Sequence, residues 1–561
     1  MKKSPQILII SLFVILATVQ AGKKFVLDEI DFPIVSLATS DTGIPVYYRG
    51  EDAFRHLGIY HPTLYINSLA LFIKLFGYNE NVIRTFGMLC VLITATIFIY
   101  IYRHIYQQKN ETFEFIFLGL FLLNPYTISN SGLPDIDSTV MPVTISLFFL
   151  YIIKCFKQQK NDLEENEFHL SKSKIIFNVS VLSFLFSLCL WTKLTTPLAI
   201  PIFSIPLLLA LGKNIKFSIL IPSLVASIGS FVFLSTYWIY CKALDLPYVY
   251  TFRFLVDSFT KGTSGSSVID KIISNISYLH QFVYWITIPT TFLIIFSICY
   301  ITIKKREGDW ATVVLGLFGI VISIFYLCLI QPFGGFFKYP YPVFPFVLMP
   351  AAVLSSEFFN IENIKDKKIL IMTSLTVIFY SFFFKDTDLL ENKIFRYTIL
   401  LVIGSILLGL TMVKLNNKKA TLIAISTLLF ISISCSLGVS RSQALSKYPT
   451  RYHYGQAGME NAINYLKGRV AKNEIIWSMK DVGYYVNNKY IENYSYFFDE
   501  QKQKELISMT NEGKVRYYVT TVGIGEDRID VYPEIKSILD SNCQKYSPKV
   551  FGNFVIYNCG K

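Results

Sequence analysis

The chain has 561 residues, of which 53% are hydrophobic and 16% charged, whereas a globular domain carries about a quarter charged residues. With a mean hydropathy of +0.45, this excludes a soluble enzyme or a disordered chain and leaves a protein with many membrane spans. The net charge of +13 is spread between the apolar runs, a pattern of membrane orientation that argues against nucleic acid as a partner.

Taken in chain order, apolar runs long enough to cross a bilayer lie near 7–22, 84–102, 113–127, 136–153, 175–191, 196–212, 217–240, 281–302, 310–330, 341–356, 369–384, 396–413 and 421–439. The expected count is therefore about 13 transmembrane helices. Pro125, Pro134 and Pro142 interrupt the third and fourth. Lys2, Lys3, Arg103, Lys154, Lys213, Lys304, Lys305, Arg306, Lys367 and Lys418 fall on one set of connections. The alternate short connections hold mainly Lys193, Lys338, Lys385 and Lys393. By the positive-inside rule the N-terminus is cytoplasmic, and an odd number of spans leaves the C-terminus outside. The first run also has the pattern of a secretion signal, with Met1–Lys3 as the basic start and a small-residue site at Ala21. On either reading the residues after position 22 face outside.

These boundaries divide the chain into a membrane part, 1–439, and an extracytoplasmic part, 440–561. Long outer segments fall near 23–83, 242–280 and 440–561. The 64–76 run is too short for a comfortable span and reads as an amphipathic helix on the outer leaflet. The inner loop 154–174 reads as a solvated connector. In the last segment, Ala457–Leu466 and the stretches near 500–509 and 532–540 have helical spacing. Glu474–Trp477, Val515–Thr521 and Phe551–Tyr557 have strand composition, which predicts a small α/β domain. Gly523-Ile-Gly-Glu526 lacks a third glycine and reads as a turn.

The chain has nine cysteines and no Cys-x-x-Cys. Seven lie in or beside apolar runs. Cys543 and Cys559 lie in the last segment, either as two buried thiols or as a disulfide, and an oxidising compartment favours the disulfide.

The residues that could carry chemistry gather at the outer ends of the spans. Asp28-Glu29, followed by Asp31, comes just after the first run. Gly43-Ile-Pro-Val-Tyr-Tyr-Arg-Gly50 and His61-Pro62-Thr63-Leu64-Tyr65 follow, then Phe76-Gly77, with Arg84 opening the second span. In this order the segments resemble the GT-C-type glycosyltransferases that use polyprenyl-phosphate sugars, the group of the protein O-mannosyltransferases and the lipid A aminoarabinose transferase. Asn124-Pro125 with Asp137, Trp191-Thr-Lys-Leu194, Phe337-Lys-Tyr-Pro-Tyr-Pro-Val-Phe-Pro345 and Gly483-Tyr-Tyr-Val486 extend the resemblance over most of the chain. Thr63 stands where that family usually has a second proline, and Lys338 stands where it has an arginine.

The resemblance implies a polytopic α-helical membrane protein that moves a sugar from a polyprenyl-phosphate donor to an acceptor hydroxyl on a lipid, protein or glycan, with inversion. It implies Asp28 as the general base and Glu29 as an orienting or acceptor-binding group. Lys193 and Lys338, among the few cations on short outer loops, suit the charge that builds on a departing phosphate. Tyr47, Arg49, His61, Asp137 and Tyr339 complete the expected substrate-binding set. One histidine among scattered carboxylates is a poor metal signature, so no metal ligands are assigned, although a divalent cation is compatible with the chemistry. The competing readings are a ligase or polymerase with a diphosphate donor, and a flippase. A flippase would carry ionisable groups in mid-span and show repeated halves, and neither feature is evident in this sequence.

Overall fold

The computed structural model describes residues 4–22, 24–25, 28–49, 52–163, 172–260, 275, 279–304, 308–330, 338–359, 418–445, 458–471, 474, 476–486, 490–492, 500–521, 533–546 and 554–559. The chain forms two compact units, one of residues 1–22, 59–68 and 81–446, the other of residues 23–58, 69–80 and 447–561. The second unit thus takes in much of the first outer segment together with the C-terminal one.

The chain starts with α1 (Ser4–Ala21), α2 (Asp28–Thr42), the hairpin β1 (Tyr47–Arg49) and β2 (Asp52–Phe54), and α3 (Leu64–Phe76). The helices that follow are α4 (Glu80–Tyr106), α5 (Glu111–Leu122), α6 (Pro125–Ser131), α7 (Val140–Leu163), α8 (Lys172–Thr192), α9 (Ala199–Ala210), α10 (Ile215–Ala243) and α11 (Tyr248–Thr260). Next are α12 (Leu279–Ile286), α13 (Ile288–Lys304), α14 (Asp309–Phe325), α15 (Phe344–Phe358) and α16 (Lys418–Leu445).

Among the described residues six helices are long and apolar enough to cross a membrane, and a seventh span results if the bent pair α5 and α6 is taken as one. The expected count of 13 is not reached among those residues. The spans near 369–384 and 396–413 lie outside the described residues. Several of the others, α1, α7, α9 and α13, have shorter apolar stretches. The run 281–302 is also two helices. Thr287 between them has φ +73°, a conformation costly for a β-branched residue, and Pro289 enters the first turn of α13, where its missing N–H costs nothing. The 64–76 run is the single helix α3, with Leu71, Leu75 and Phe76 exposed.

The core of the first unit is aromatic. Phe346 of α15 meets Phe98 of α4, Phe149 of α7 and Phe318 of α14, each at ring-centroid distances of 4.6–5.2 Å. From Phe344 to Ser356 every residue of α15 is buried, which is why the sequence there is apolar all round. Small residues allow close helix contact, as membrane packing requires. A Cβ at Gly319 of α14 would meet Val347 Cγ2 at 2.5 Å, and one at Gly87 of α4 would land on the Ser131 carbonyl oxygen of α6.

The C-terminal segment contributes α17 (Met459–Lys467), β3 (Ile476–Ser478), α18 (Lys480–Val486), β4 (Tyr490–Glu492), α19 (Glu500–Asn511), β5 (Tyr517–Thr521), α20 (Pro533–Asn542), β6 (Gln544–Tyr546) and β7 (Phe554–Asn558). The five strands form one mixed sheet in the order β4-β3-β5-β7-β6. β3 is parallel to β4 and β5, and β7 is antiparallel to β5 and β6. One face packs on Ile463 and Leu466 of α17 with Val482 of α18, and the other on Leu506 of α19 with Ile535 and Leu539 of α20. The alternation along β7 explains the two cores, with Phe554 and Ile556 facing the first and Val555 and Tyr557 the second. A disulfide joins Cys543 to Cys559, with Cα atoms 4.2 Å apart.

Candidate active site

In the first unit two lysines and two aspartates meet just beyond helix ends. Asn124, one residue past the end cap of α5, caps α6: its side chain accepts from Tyr126 N at 3.0 Å and donates to Ile286 O at 3.2 Å, the carbonyl at the break before α13. With Pro125 at the first position of α6, the two helices meet at 67°. The turn after α6 carries Asp135 and Asp137. Asp135 folds it by accepting from Asp137 N at 2.9 Å, and Thr139 Oγ1 donates to Asp135 O at 2.7 Å. Arg84, entering α4, donates to Gly132 O in the same turn.

Each aspartate receives one lysine. α8 stops at Thr192, and Lys193 Nζ donates to both Asp137 oxygens at 2.9 and 2.7 Å. Lys338, in the turn before α15, donates to Asp135 Oδ2 at 2.7 Å. All four residues are buried, and Lys193 and Lys338 are only 4% and 6% exposed. Tyr339 covers Lys193, whose Nζ lies 4.3 Å from its ring centroid, and Tyr326 stacks on Tyr339 at 5.6 Å. Tyr326 opens a π-helical turn, Tyr326–Ile330, after α14. Its hydroxyl bonds Thr195 at 2.7 Å and also Thr196, so the segment after Lys193 is tied to the ring above it.

Burial pushes the Asp137 carboxyl up to about 6, against the pull of Lys193. Burial would lower Lys193, but Asp137, Tyr326 and Tyr339 outweigh it and hold the ammonium above its usual range. His61, between the 3₁₀ turn His56–Ile59 and α3, sits edge-on to Phe254 of α11 at 5.7 Å. Burial first, then Lys193 and Lys338, hold its imidazole well below 6.5, so it stands neutral beside two cations.

The expected residues fall into two sets. His61, Asp137, Lys193, Lys338 and Tyr339 come together in the first unit. The second unit holds Asp28 at the start of α2, the buried Glu29, Tyr47 and Arg49 on β1. Tyr47 is buried, and its hydroxyl donates to Asp31 at 2.8 Å. Both Asp137 oxygens accept from Lys193. Asp135, Tyr326, Thr195 and Thr196 join the site without having been among the expected binding residues. The spacing Asp135-x-Asp137 carries a visible signal, whereas Tyr326 lies inside an apolar run and carries none. Among the described residues no group of three or more His, Cys, Asp or Glu could hold a metal ion. The two aspartates face lysines, a donor set unsuited to a cation.

No protein-family model matches the chain, and no curated protein matches it in sequence. Among solved structures it resembles ArnT from Cupriavidus metallidurans bound to undecaprenyl phosphate, with a TM-score of 0.60 and 11% identity over 99% of this chain and 98% of that one. The apo state of the same protein aligns with a TM-score of 0.55 and 11% identity, over 98% and 97%. The Archaeoglobus fulgidus oligosaccharyltransferase tethered to an acceptor peptide aligns at 0.46 and 9% identity, over 100% and 74%. The chain is an integral membrane protein that shares the GT-C-type fold of ArnT.

Proposed function

We propose that the protein is a glycosyltransferase that takes a sugar from a polyprenyl-phosphate donor and passes it to an acceptor hydroxyl at the extracytoplasmic face. The observation that carries this reading is the buried pair Lys193 and Lys338, each braced by its own aspartate under the Tyr326–Tyr339 stack. The fold is shared with a protein crystallised with undecaprenyl phosphate, which favours a lipid monophosphate as the group those cations meet.

Breaking the bond between the anomeric carbon and the phosphate leaves charge on the phosphate. Fixed ammonium groups in a water-poor site stabilise that charge more in the transition state than before it. Lysine supplies a point charge with three donors, so Lys193 and Lys338 would act by charge and placement rather than by a bidentate grip. His61, being neutral, can donate one hydrogen bond without competing for the phosphate as a third cation. Asp28 is assigned as the general base that takes the acceptor hydroxyl proton, and attack opposite the phosphate inverts the anomeric carbon. The proposed boundaries are a membrane catalytic part, 1–439, and an extracytoplasmic domain, 440–561, with the N-terminus cytoplasmic.

The test is transfer of radiolabelled sugar from polyprenyl-phosphate donors by the purified protein in lipid nanodiscs, with a crude envelope extract as acceptor. Label should reach an extract component with the wild type and not with Asp28→Asn. Transfer from diphosphate donors alone would replace this reading with that of a ligase, and full turnover by Asp28→Asn would remove the base assignment.

A further inference from the structure

The second unit contains an arrangement that no catalytic step uses. Helix α18 follows β3 directly, and three of its side chains engage the first outer segment within the same unit. Lys480 Nζ, at the first position of the helix, lies 2.9 Å from Asp31 Oδ2. Tyr485 OH accepts from Phe25 N, and Lys24 Nζ lies 4.5 Å over its ring. Tyr484 OH bonds Tyr78 OH. The hairpin adds a further tie, because Tyr47 OH donates to the other Asp31 oxygen at 2.8 Å. One short helix therefore holds the residues before α2, a residue within α2, and the residues after α3.

The placement of Lys480 argues that its partner is the reason for it. A cation in the first turn of a helix faces the positive end of the helix dipole, which disfavours it. Here the side chain is only 13% exposed, and Asp31 is 25% exposed, so the pair is partly shielded from water. Asp31 accepts from a cation and a phenol at once, a geometry that leaves its carboxylate little rotational freedom. It stands three residues after Asp28 in the same helix, so fixing the backbone at Asp31 fixes the helix that begins at Asp28.

We infer that Lys480 is a positioning residue: through Asp31 it holds α2, so the C-terminal domain sets the turnover of the outer segment's Asp28. The inference rests on the transferase reading for its catalytic half only. It is tested on the full chain in nanodiscs with Lys480→Met, Lys480→Arg and wild type. Amide hydrogen exchange in residues 28–42 should rise at least about tenfold in Lys480→Met and stay near wild type in Lys480→Arg, while β5 and β7 keep their protection in both. Transfer by Lys480→Met should lose about tenfold in kcat with the KM for the donor lipid unchanged, and the arginine variant should restore it.

Unchanged exchange in α2 of Lys480→Met overturns the inference. So does raised exchange with unaltered kcat, which would make the contact structural only. A loss of protection throughout the sheet would also overturn it, since the effect would then be unfolding of the domain. Failure of the transferase reading is seen separately, as a wild type that transfers from no donor, and the exchange comparison then decides alone whether Lys480 holds α2.

Discussion

Lys193 and Lys338 show what a buried charge requires of its neighbours. Desolvating an ammonium costs several kcal/mol, and only a well-placed carboxylate offsets it. Removing one partner of such a pair costs about 3–5 kcal/mol, whereas replacing both by apolar groups is often neutral. Asp137→Asn should therefore lower the melting temperature markedly, and Lys193→Met with Asp137→Leu should recover most of it while transfer stays lost. Thermal melts and transfer rates of the two variants check this, and an active double variant would show that Lys193 meets no substrate. Lys193→Ala and Lys338→Ala should each slow transfer by about 10²–10³, the range for a fixed charge at a developing anion. His61 gives a pH dependence. Its folded pKa lies below 6.5 while the unfolded one is near 6.5, so just below that pH the unfolded chain binds more protons. Its contribution to stability is full above about 6.5 and is lost as pH falls through the window beneath it. His61→Gln should flatten that part of the melting curve between about pH 5.5 and 7.5, with the wild type measured alongside. Parallel curves would mean that the imidazole is not held neutral.

At the scale of elements, the site depends on where helices stop and how closely they approach. Gly87 lets α4 touch Ser131 of α6, the helix that leads into the Asp135 turn, and Arg84 secures Gly132 one turn away. Gly87→Val should push α6 outward and reduce transfer more than it reduces melting temperature. Equal losses of both would indicate general misfolding. The break near Pro125 was legible, because a proline inside an apolar run interrupts a helix, but the run 113–127 reads as one stretch and Asn124 does not read as the cap of a second helix. The break at Thr287 was only half legible: Pro289 signals a helix start, but nothing local marks a left-handed threonine whose neighbour's carbonyl is taken up by Asn124, more than 160 positions earlier. Tyr326 was illegible for a similar reason. Inside an apolar run a tyrosine looks like core, and only the hydroxyls of Thr195 and Thr196 give it a site role.

At the scale of the whole molecule, the second unit combines a small sheet with a covalent tie. Cys543 and Cys559 close a loop with a sequence separation of 16, and a loop of that size contributes about 3 kcal/mol by restricting the unfolded chain. Cys543→Ser with Cys559→Ser should lower the unit's melting temperature in the full-length protein. Thiol labelling of the wild type at Cys543 should appear only after reduction. Labelling without reductant would place the cysteines in the reduced state.

Composition and the spacing of apolar runs were enough to define a polytopic membrane protein, because a bilayer constrains every segment of about 20 residues independently. The α/β character of the C-terminal segment was legible too, since strand and helix periodicities are local. The order of short motifs pointed to a GT-C-type fold, and Lys193 and Lys338 stood out because cations are rare on the alternate short connections. Tertiary structure alone decided which charge answers which. The Lys193–Asp137 and Lys338–Asp135 pairs join residues 56 and 203 positions apart, and Lys480 reaches Asp31 across 449. Coulombic attraction and desolvation depend on distance in space and on burial, and neither is encoded in any local stretch of sequence.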